Sequence, residues 1–240
     1  MGTSVLKRHK KRMKYTLQKA AMFFMPKRVK KKYRANIRSN AFITIADDIN
    51  KDGGTCFSGA GSTVEVTKKV REIIVDTVKQ YNIKSMLDIP CGDFTWMPLT
   101  CENLPDDVKY TGGDIVPFLV ERNSRNYPLY TFKVIDFVKD DLPECDLIFC
   151  RDALQHLAIA DIKQALENFS RSGAKYLLTT IHLRRSVWKN KRDCRIGSCR
   201  DRNLLIEPFN LGDPLVIFSE VYSHKFLGLW ELPLTYYTKP

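Results

Sequence analysis

Apolar residues recur along this chain in short runs set apart by polar stretches with helical spacing. Runs at 85–89, 108–114, 130–136, 145–150, 175–181, 215–221 and 225–232 have the length and apolar density of strands. Met86, Leu87 and Ile89 in the first run suit a strand buried in a parallel sheet. Val66, Val70, Ile73, Ile74 and Val78 line one face of a predicted helix that Ser62 or Thr63 caps and that runs to about Tyr81. Leu154, Leu157, Ile162, Ala165, Leu166 and Phe169 mark a second amphipathic stretch over Ala153–Phe169. Strand alternating with helix predicts an α/β fold: a mostly parallel, doubly wound sheet with helices on both faces. Only Tyr222-Ser223-His224 separates the last two runs, so they are expected to form an antiparallel hairpin at one edge. The segment 183–213, rich in Arg, Lys, Asn and Asp, is too long for a simple connection. It is expected near the carboxyl ends of the strands, where open α/β sheets bind ligands.

Charge divides the chain in two. Of its 39 Lys and Arg residues, 14 lie within 1–46, a stretch without an acid, leaving 25 against 27 acids in the rest of the 240 residues. A basic arm over 1–46, partly helical or flexible, therefore precedes a nearly neutral domain over 47–240. The arm is read either as a solvated tail or as a surface for an anionic partner or membrane. Its apolar patch, Ala20 to Met25, is too short to span a bilayer, and Leu6 stands where a myristoylation signal needs Ser or Thr. Neither a transmembrane segment, a cleaved signal nor a lipid anchor is expected. Seven cysteines without a CxxC pair point to free thiols in a reducing, cytoplasmic setting, which is the host cytoplasm if the source is a virus. Neither Cys194 nor Cys199 has a partner pair that signals zinc.

Candidate chemistry centres on Ser85-Met86-Leu87-Asp88-Ile89-Pro90-Cys91-Gly92-Asp93-Phe94-Thr95-Trp96, a strand running into a turn. Gly92 lacks the Cβ that keeps a backbone away from a ligand, and the helix expected after it would aim free N–H groups at that ligand. Asp114 follows Gly92 by 22 positions, near the ~20-residue spacing at which a carboxylate grips a ribose diol. The pair predicts a nucleotide-like cofactor.

These features together resemble the class I S-adenosylmethionine-dependent methyltransferases, whose seven-stranded sheet ends in a reversed hairpin. The resemblance spans roughly Ser58 to Pro240. It is closest to a subfamily with a Gly-x-Gly-Ser-Thr run, here Gly59 to Thr63, followed by a helix and Tyr-Asn-Ile-Lys-Ser-x-Leu-Asp-Ile-Pro-Cys-Gly-Asp-Phe-x-Trp-Met, here Tyr81 to Met97. Such proteins accompany glycan-modifying enzymes, and large algal viruses encode related glycan O-methyltransferases. The superfamily's three-glycine motif keeps only its middle member, with Pro90 and Phe94 in the outer places.

The resemblance implies S-adenosylmethionine as cofactor and a set of binding residues. Asp88, Pro90, Cys91 and the Gly92 backbone face its methionine part, and Asp93 is a candidate for its ammonium. Asp114 takes the ribose hydroxyls and Ile115 packs on the adenine. Asp136, beside Phe137, accepts from the adenine amino group, unless it serves only as a turn or cap residue. Cys150 to Leu157 follows the fourth strand and faces the methyl donor. There His156 or Asp152 is the candidate general base for an acceptor hydroxyl, and Arg151 a cofactor or acceptor contact. A His-Leu pair in this place also serves simply to pack. His182 is a second candidate at the acceptor, with Trp96, Arg200 and Asn203. A divalent metal near Arg151 and Asp152 is left open, without a clear motif. Cys199 replaces an aromatic residue of the subfamily.

The leading expectation is therefore O-methylation of a sugar hydroxyl, for example on a rhamnose-like deoxyhexose of a glycan. The alternative is an RNA or protein methyltransferase that uses the basic arm. The fourth strand lacks the Asp/Asn-Pro-Pro-aromatic turn that holds an exocyclic amine, which argues against amino-methylation of bases. Pro90-Cys91 resembles the cysteine motif of cytosine C5 methylation but follows the wrong strand. A third reading, a binding module with a degenerate cofactor pocket, is opposed by retention of Asp88, Gly92, Asp114 and Asp136.

Overall fold

Seven strands form one sheet in the computed structural model, which describes residues 36–45, 58–183, 186–194, 196–220 and 225–236. They are β1 (Ser85–Asp88), β2 (Lys109–Asp114), β3 (Thr131–Val134), β4 (Leu147–Cys150), β5 (Tyr176–His182), β6 (Val216–Ser219) and β7 (Lys225–Glu231), in the order β3-β2-β1-β4-β5-β7-β6. The first five pair in parallel. β7 runs antiparallel to β5 and β6, so the expected edge hairpin is present and its return strand lies inside the sheet. The turn residues Tyr222-Ser223-His224 lie outside the described residues.

The central strands are apolar on both faces because both are covered. Leu87, Ile148, Leu177 and Ile181 pack with Ile162, Ala165, Leu166 and Phe169 of the helix Ile159–Arg171 (α5), which covers one face. Met86, Leu147, Phe149 and Leu178 pack on the other with Val70, Ile73, Ile74 and Val78 of the helix Lys68–Gln80 (α2). The remaining helices are 36–45 (α1), Met97–Cys101 (α3), Pro117–Asn126 (α4) and Val187–Asn190 (α6).

Three helical expectations shift. Helix α2 starts at Lys68 rather than at Thr63. The β-branched run Thr63, Val64, Val66 and Thr67 forms turns instead, with the Thr67 hydroxyl donating to the carbonyls of Thr63 and Val64 at 2.8 and 3.3 Å. The stretch Ala153–Phe169 divides into a 3₁₀ turn at Leu154–His156 and α5, with Leu157 and Ala158 extended between them. The Leu157 carbonyl accepts from Cys194 Sγ and Arg202 Nη2, and the His156 carbonyl from the Gly197 N–H, so contacts from the 183–213 segment replace helix bonds there. No helix opens at Gly92: α3 begins at Met97 and has five residues. The described residues contain no helix long and apolar enough to cross a membrane.

Candidate active site

The loop after β1 turns sharply at Gly92, whose φ of +58° favours glycine. A Cβ on Gly92 would lie 2.1 Å from Ser58 Oγ, so the close approach that the glycine permits is to the protein's own Ser58. Two turn N–H groups are satisfied from distant loops. Gly92 N–H donates to Asp114 Oδ2 (3.0 Å) and Asp93 N–H to Ser58 Oγ (3.1 Å). The outer motif place held by Phe94 keeps a left-handed φ of +57°. That conformation costs a non-glycine residue roughly 1–2 kcal/mol. Four ring contacts with Tyr110, Tyr127, Tyr130 and Phe132, at 4.8–5.4 Å between centroids, offset it at about 0.5–1.5 kcal/mol each.

A cavity of about 360 Å³ opens at the carboxyl ends of β1 to β4. Asp88, Pro90, Cys91, Gly92, Trp96, Asp114, Ile115, Asp136, Phe137, Arg151, Asp152 and His156 line it, so most of the residues singled out from sequence share one space. Asp93 lines no part of it. Its carboxylate accepts from the Ser58 and Thr95 N–H groups. His182, Arg200 and Asn203 also lie off this cavity. His182 is buried, its Nδ1 accepts from Arg202 N–H at 3.3 Å, and its Nε2 is 3.7 Å from Asp201. Arg200 and Asn203 line a second, polar pocket.

The carboxylates of this edge fall into two electrostatic groups. Burial pushes Asp88 up to about 8, against the hydrogen bond from Tyr110 Oη at 2.7 Å. Burial raises Asp114 to about 6, against backbone N–H groups of Val116 and Gly92. Asp114 Oδ1 accepts from Val116 N–H and Oδ2 from Gly92 N–H, and the residue lines the cavity. Asp152, at φ +53°, is different. Burial would raise it too, but Arg151, Lys225 (Nζ to Oδ2 2.7 Å) and Gln155 (Nε2 to Oδ1 2.8 Å) hold it below the usual carboxylate range. His156 is pushed below the ordinary histidine range by burial, more than the Ser198 carbonyl and Asp152 raise it. In the tautomer that donates from Nδ1 to the Ser198 carbonyl (3.2 Å), Nε2 is left as acceptor.

Sequence reasoning missed the partners that hold these groups. The Arg151 guanidinium donates to Glu220 Oε2 at 2.7 and 3.1 Å and to the Gly61 carbonyl at 3.0 Å, so it ties the edge hairpin and the Gly-x-Gly-Ser-Thr run to β4. Asp136 is bound by Arg38, which reaches both its oxygens at 2.7–3.2 Å and lies 3.2 Å from Asp161. Arg38 is 3% exposed, and Arg38, Phe42 and Ile45 of α1 line the cavity. The basic stretch through Arg38 thus differs from a solvated tail at its end, because that end carries the counter-ion of a buried carboxylate. The Arg38 bonds and the Val138 N–H at 3.2 Å take up the Asp136 oxygens that the resemblance assigns to an adenine amino group. No local signal marks Arg38 or Glu220, since each finds its partner 98 or 69 residues away. Among the described residues no group of three His, Cys, Asp or Glu is placed to hold a metal ion.

No family model and no curated protein matches the sequence. Solved structures do match in fold. The N-methyltransferase NodS of Bradyrhizobium japonicum WM9, in complex with S-adenosyl-L-homocysteine, superposes with TM-score 0.53 at 13% identity, over 72% of this chain and 90% of that one. The mitomycin 7-O-methyltransferase MmcR gives 0.55 at 13%, over 72% and 55%. Human N-acetylserotonin methyltransferase, solved with S-adenosylmethionine, gives 0.50 at 16%, over 81% and 66%. The chain has the Rossmann-like fold of class I methyltransferases. Its cavity has chemistry that suits such a cofactor: it is lined by the acids Asp88 and Asp114 and by apolar Ile115, Val116, Leu119 and Phe137.

Proposed function

We propose that the chain is an S-adenosylmethionine-dependent O-methyltransferase that acts on a sugar hydroxyl of a glycan or glycoconjugate. The carrying observation is that Asp88, Asp114, Phe137 and His156 line one and the same cavity. When bound, the cofactor would supply a methyl group activated by a sulfonium, whose thioether is the leaving group when an acceptor oxygen takes the methyl. Asp114 binds the ribose hydroxyls, Asp88 faces the methionine ammonium, and the apolar lining residues exclude water from the adenine base. Arg151 positions β4 and Asp152. His156 Nε2 takes the acceptor's proton as the oxygen–methyl bond forms; Asp152, neutralised by Arg151 and Lys225, is the weaker base. His182, buried beside Arg202, acts through the 183–213 segment rather than on the acceptor.

Fold alone does not choose the acceptor, since the solved neighbours include an N- and an O-methyltransferase by name. The sugar reading is supported by the Tyr81–Met97 motif and by a hydroxyl's need for a base. The RNA or protein alternative leaned on the basic stretch, and Arg38, one of its cations, is occupied by Asp136 and Asp161. Calorimetry with S-adenosylmethionine, followed by transfer of labelled methyl to rhamnose-like glycosides, RNA and histones, tests the proposal. Absence of cofactor binding ends the enzyme reading; methylation of RNA or histones alone ends the sugar reading.

A further inference from the structure

The insertion 183–213 builds a pocket of its own. About 230 Å³ in volume, it is lined by Ser186, which caps α6, by Lys189 and Asn190 of that helix, and by Cys199, Arg200, Asp201 and Asn203. Its walls are held from behind. Asn190 Nδ2 donates to the carbonyls of Asn203 and Glu207, both at 2.8 Å, and its Oδ1 accepts from the Asn203 N–H at 3.0 Å. Arg202, 1% exposed, donates to the carbonyls of Asn190 and Arg192 at 3.1 and 3.0 Å. Such bonding gives a pre-formed wall rather than a loose loop.

The charge inside is unbalanced. Among the described lining residues there are two cations, Lys189 and Arg200, and one carboxylate, Asp201, which lies 3.7 Å from His182. Arg200 is half-buried, lines the pocket, and its Nε has no hydrogen-bond partner in the protein. A planar guanidinium fork matches a carboxylate or phosphate. The pocket is also tied to the methyl-transfer side. Gly197 N–H donates to the His156 carbonyl and Arg200 N–H to the neighbouring Gln155 carbonyl, at 2.9 and 3.0 Å. Gly197 lines the cofactor cavity while Arg200 lines the polar pocket, and three residues span at most about 11 Å.

We infer that this pocket holds an anionic sugar unit of the acceptor, bearing a carboxylate or phosphate, adjacent to the unit that is methylated. The inference rests on the sugar-acceptor reading for its biological sense, but direct binding tests the pocket without methyl transfer. Saturation-transfer NMR on the full chain would compare methyl glucuronide, a glucose phosphate and methyl glucoside, with a short RNA as a fourth probe. Either or both acidic sugars should bind about tenfold tighter than the neutral one. Carboxylate and phosphate arms show which anion is preferred. Arg200→Gln should abolish the preference and Arg200→Lys retain part of it, with thermal melting and S-adenosylmethionine affinity unchanged in both. Equal binding of acidic and neutral sugars, no binding, binding of RNA alone, or a preference that survives Arg200→Gln would overturn the inference. Failure to bind S-adenosylmethionine while the acid preference persists would instead remove the methyltransferase reading and leave the pocket.

Discussion

Along the carboxyl edge of the sheet, the ends of β1 and β2 and the end of β4 carry the same residue type in opposite electrostatic states. Asp88 and Asp114 are pushed up by burial, to about 8 and about 6, and backbone or hydroxyl donors only partly compensate. Asp152 is held down by two protein cations, Arg151 and Lys225. Under the proposed function the first region is built to receive positive charge from outside, and the second is already neutral. Proton transfer is then left to His156, which burial keeps uncharged. The two regions also differ in how they are assembled. Gly92 and Asp114 bond across 22 residues, whereas Arg151 reaches Gly61 across 90 and Asp152 reaches Lys225 across 73.

The division of labour can be broken most directly at His156. His156→Gln should lower kcat about 10²–10⁴-fold while calorimetry finds the cofactor affinity unchanged. A comparable loss of cofactor affinity would mean that the regions are not separable. Next in size is the α1 contact. Arg38→Ala leaves Asp136 buried without its cation and should reduce stability by about 3–5 kcal/mol in denaturant titration. The paired change Arg38→Met with Asp136→Leu should recover only part of that loss, because buried Asp161, 3.2 Å from Arg38, still loses this cation; adding Asp161→Asn should recover more. Asp114→Ala should weaken S-adenosylmethionine about 10- to 100-fold, the worth of a charged hydrogen bond or two, with kcat at saturating cofactor little altered.

A separate expectation is a pH dependence of the cofactor-free chain. The folded Asp88 value lies above the ordinary 3.8, so between the two the folded chain holds a proton that the unfolded chain has lost. Stability should therefore fall as pH rises from about 4 to about 8, with Asp114 adding to the lower part of that window. Denaturant titrations at several pH values check this, and Asp88→Asn should flatten the upper part. A flat profile in the unsubstituted protein would remove the contrast with Asp152.

The strands were legible because each is a short apolar run between polar breaks, and burial on both faces leaves little freedom in their placement. The cofactor side of the site was legible for a related reason: Asp88, Gly92 and Asp114 sit at the ends of neighbouring strands, and short loops carry them to one point. Asp93 shows the limit of that logic, since a motif position one residue from Gly92 points its carboxylate at Ser58 and Thr95 instead. The break between His156 and α5 was hidden for a different reason. Its apolar periodicity is continuous, and only carbonyl bonds from Cys194, Gly197 and Arg202 interrupt the helix.

By itself the sequence determined the α/β alternation, the reversed edge hairpin and the row of acids at the strand ends, all of which follow from periodicity and short connections. Tertiary structure alone decided that Arg38 comes back to neutralise Asp136, that Lys225 and Arg151 claim Asp152, and that 183–213 folds around buried Arg202 into a pocket separate from the main cavity. A buried charge must find a partner or shed its proton, and nothing in the local sequence says how far along the chain that partner lies.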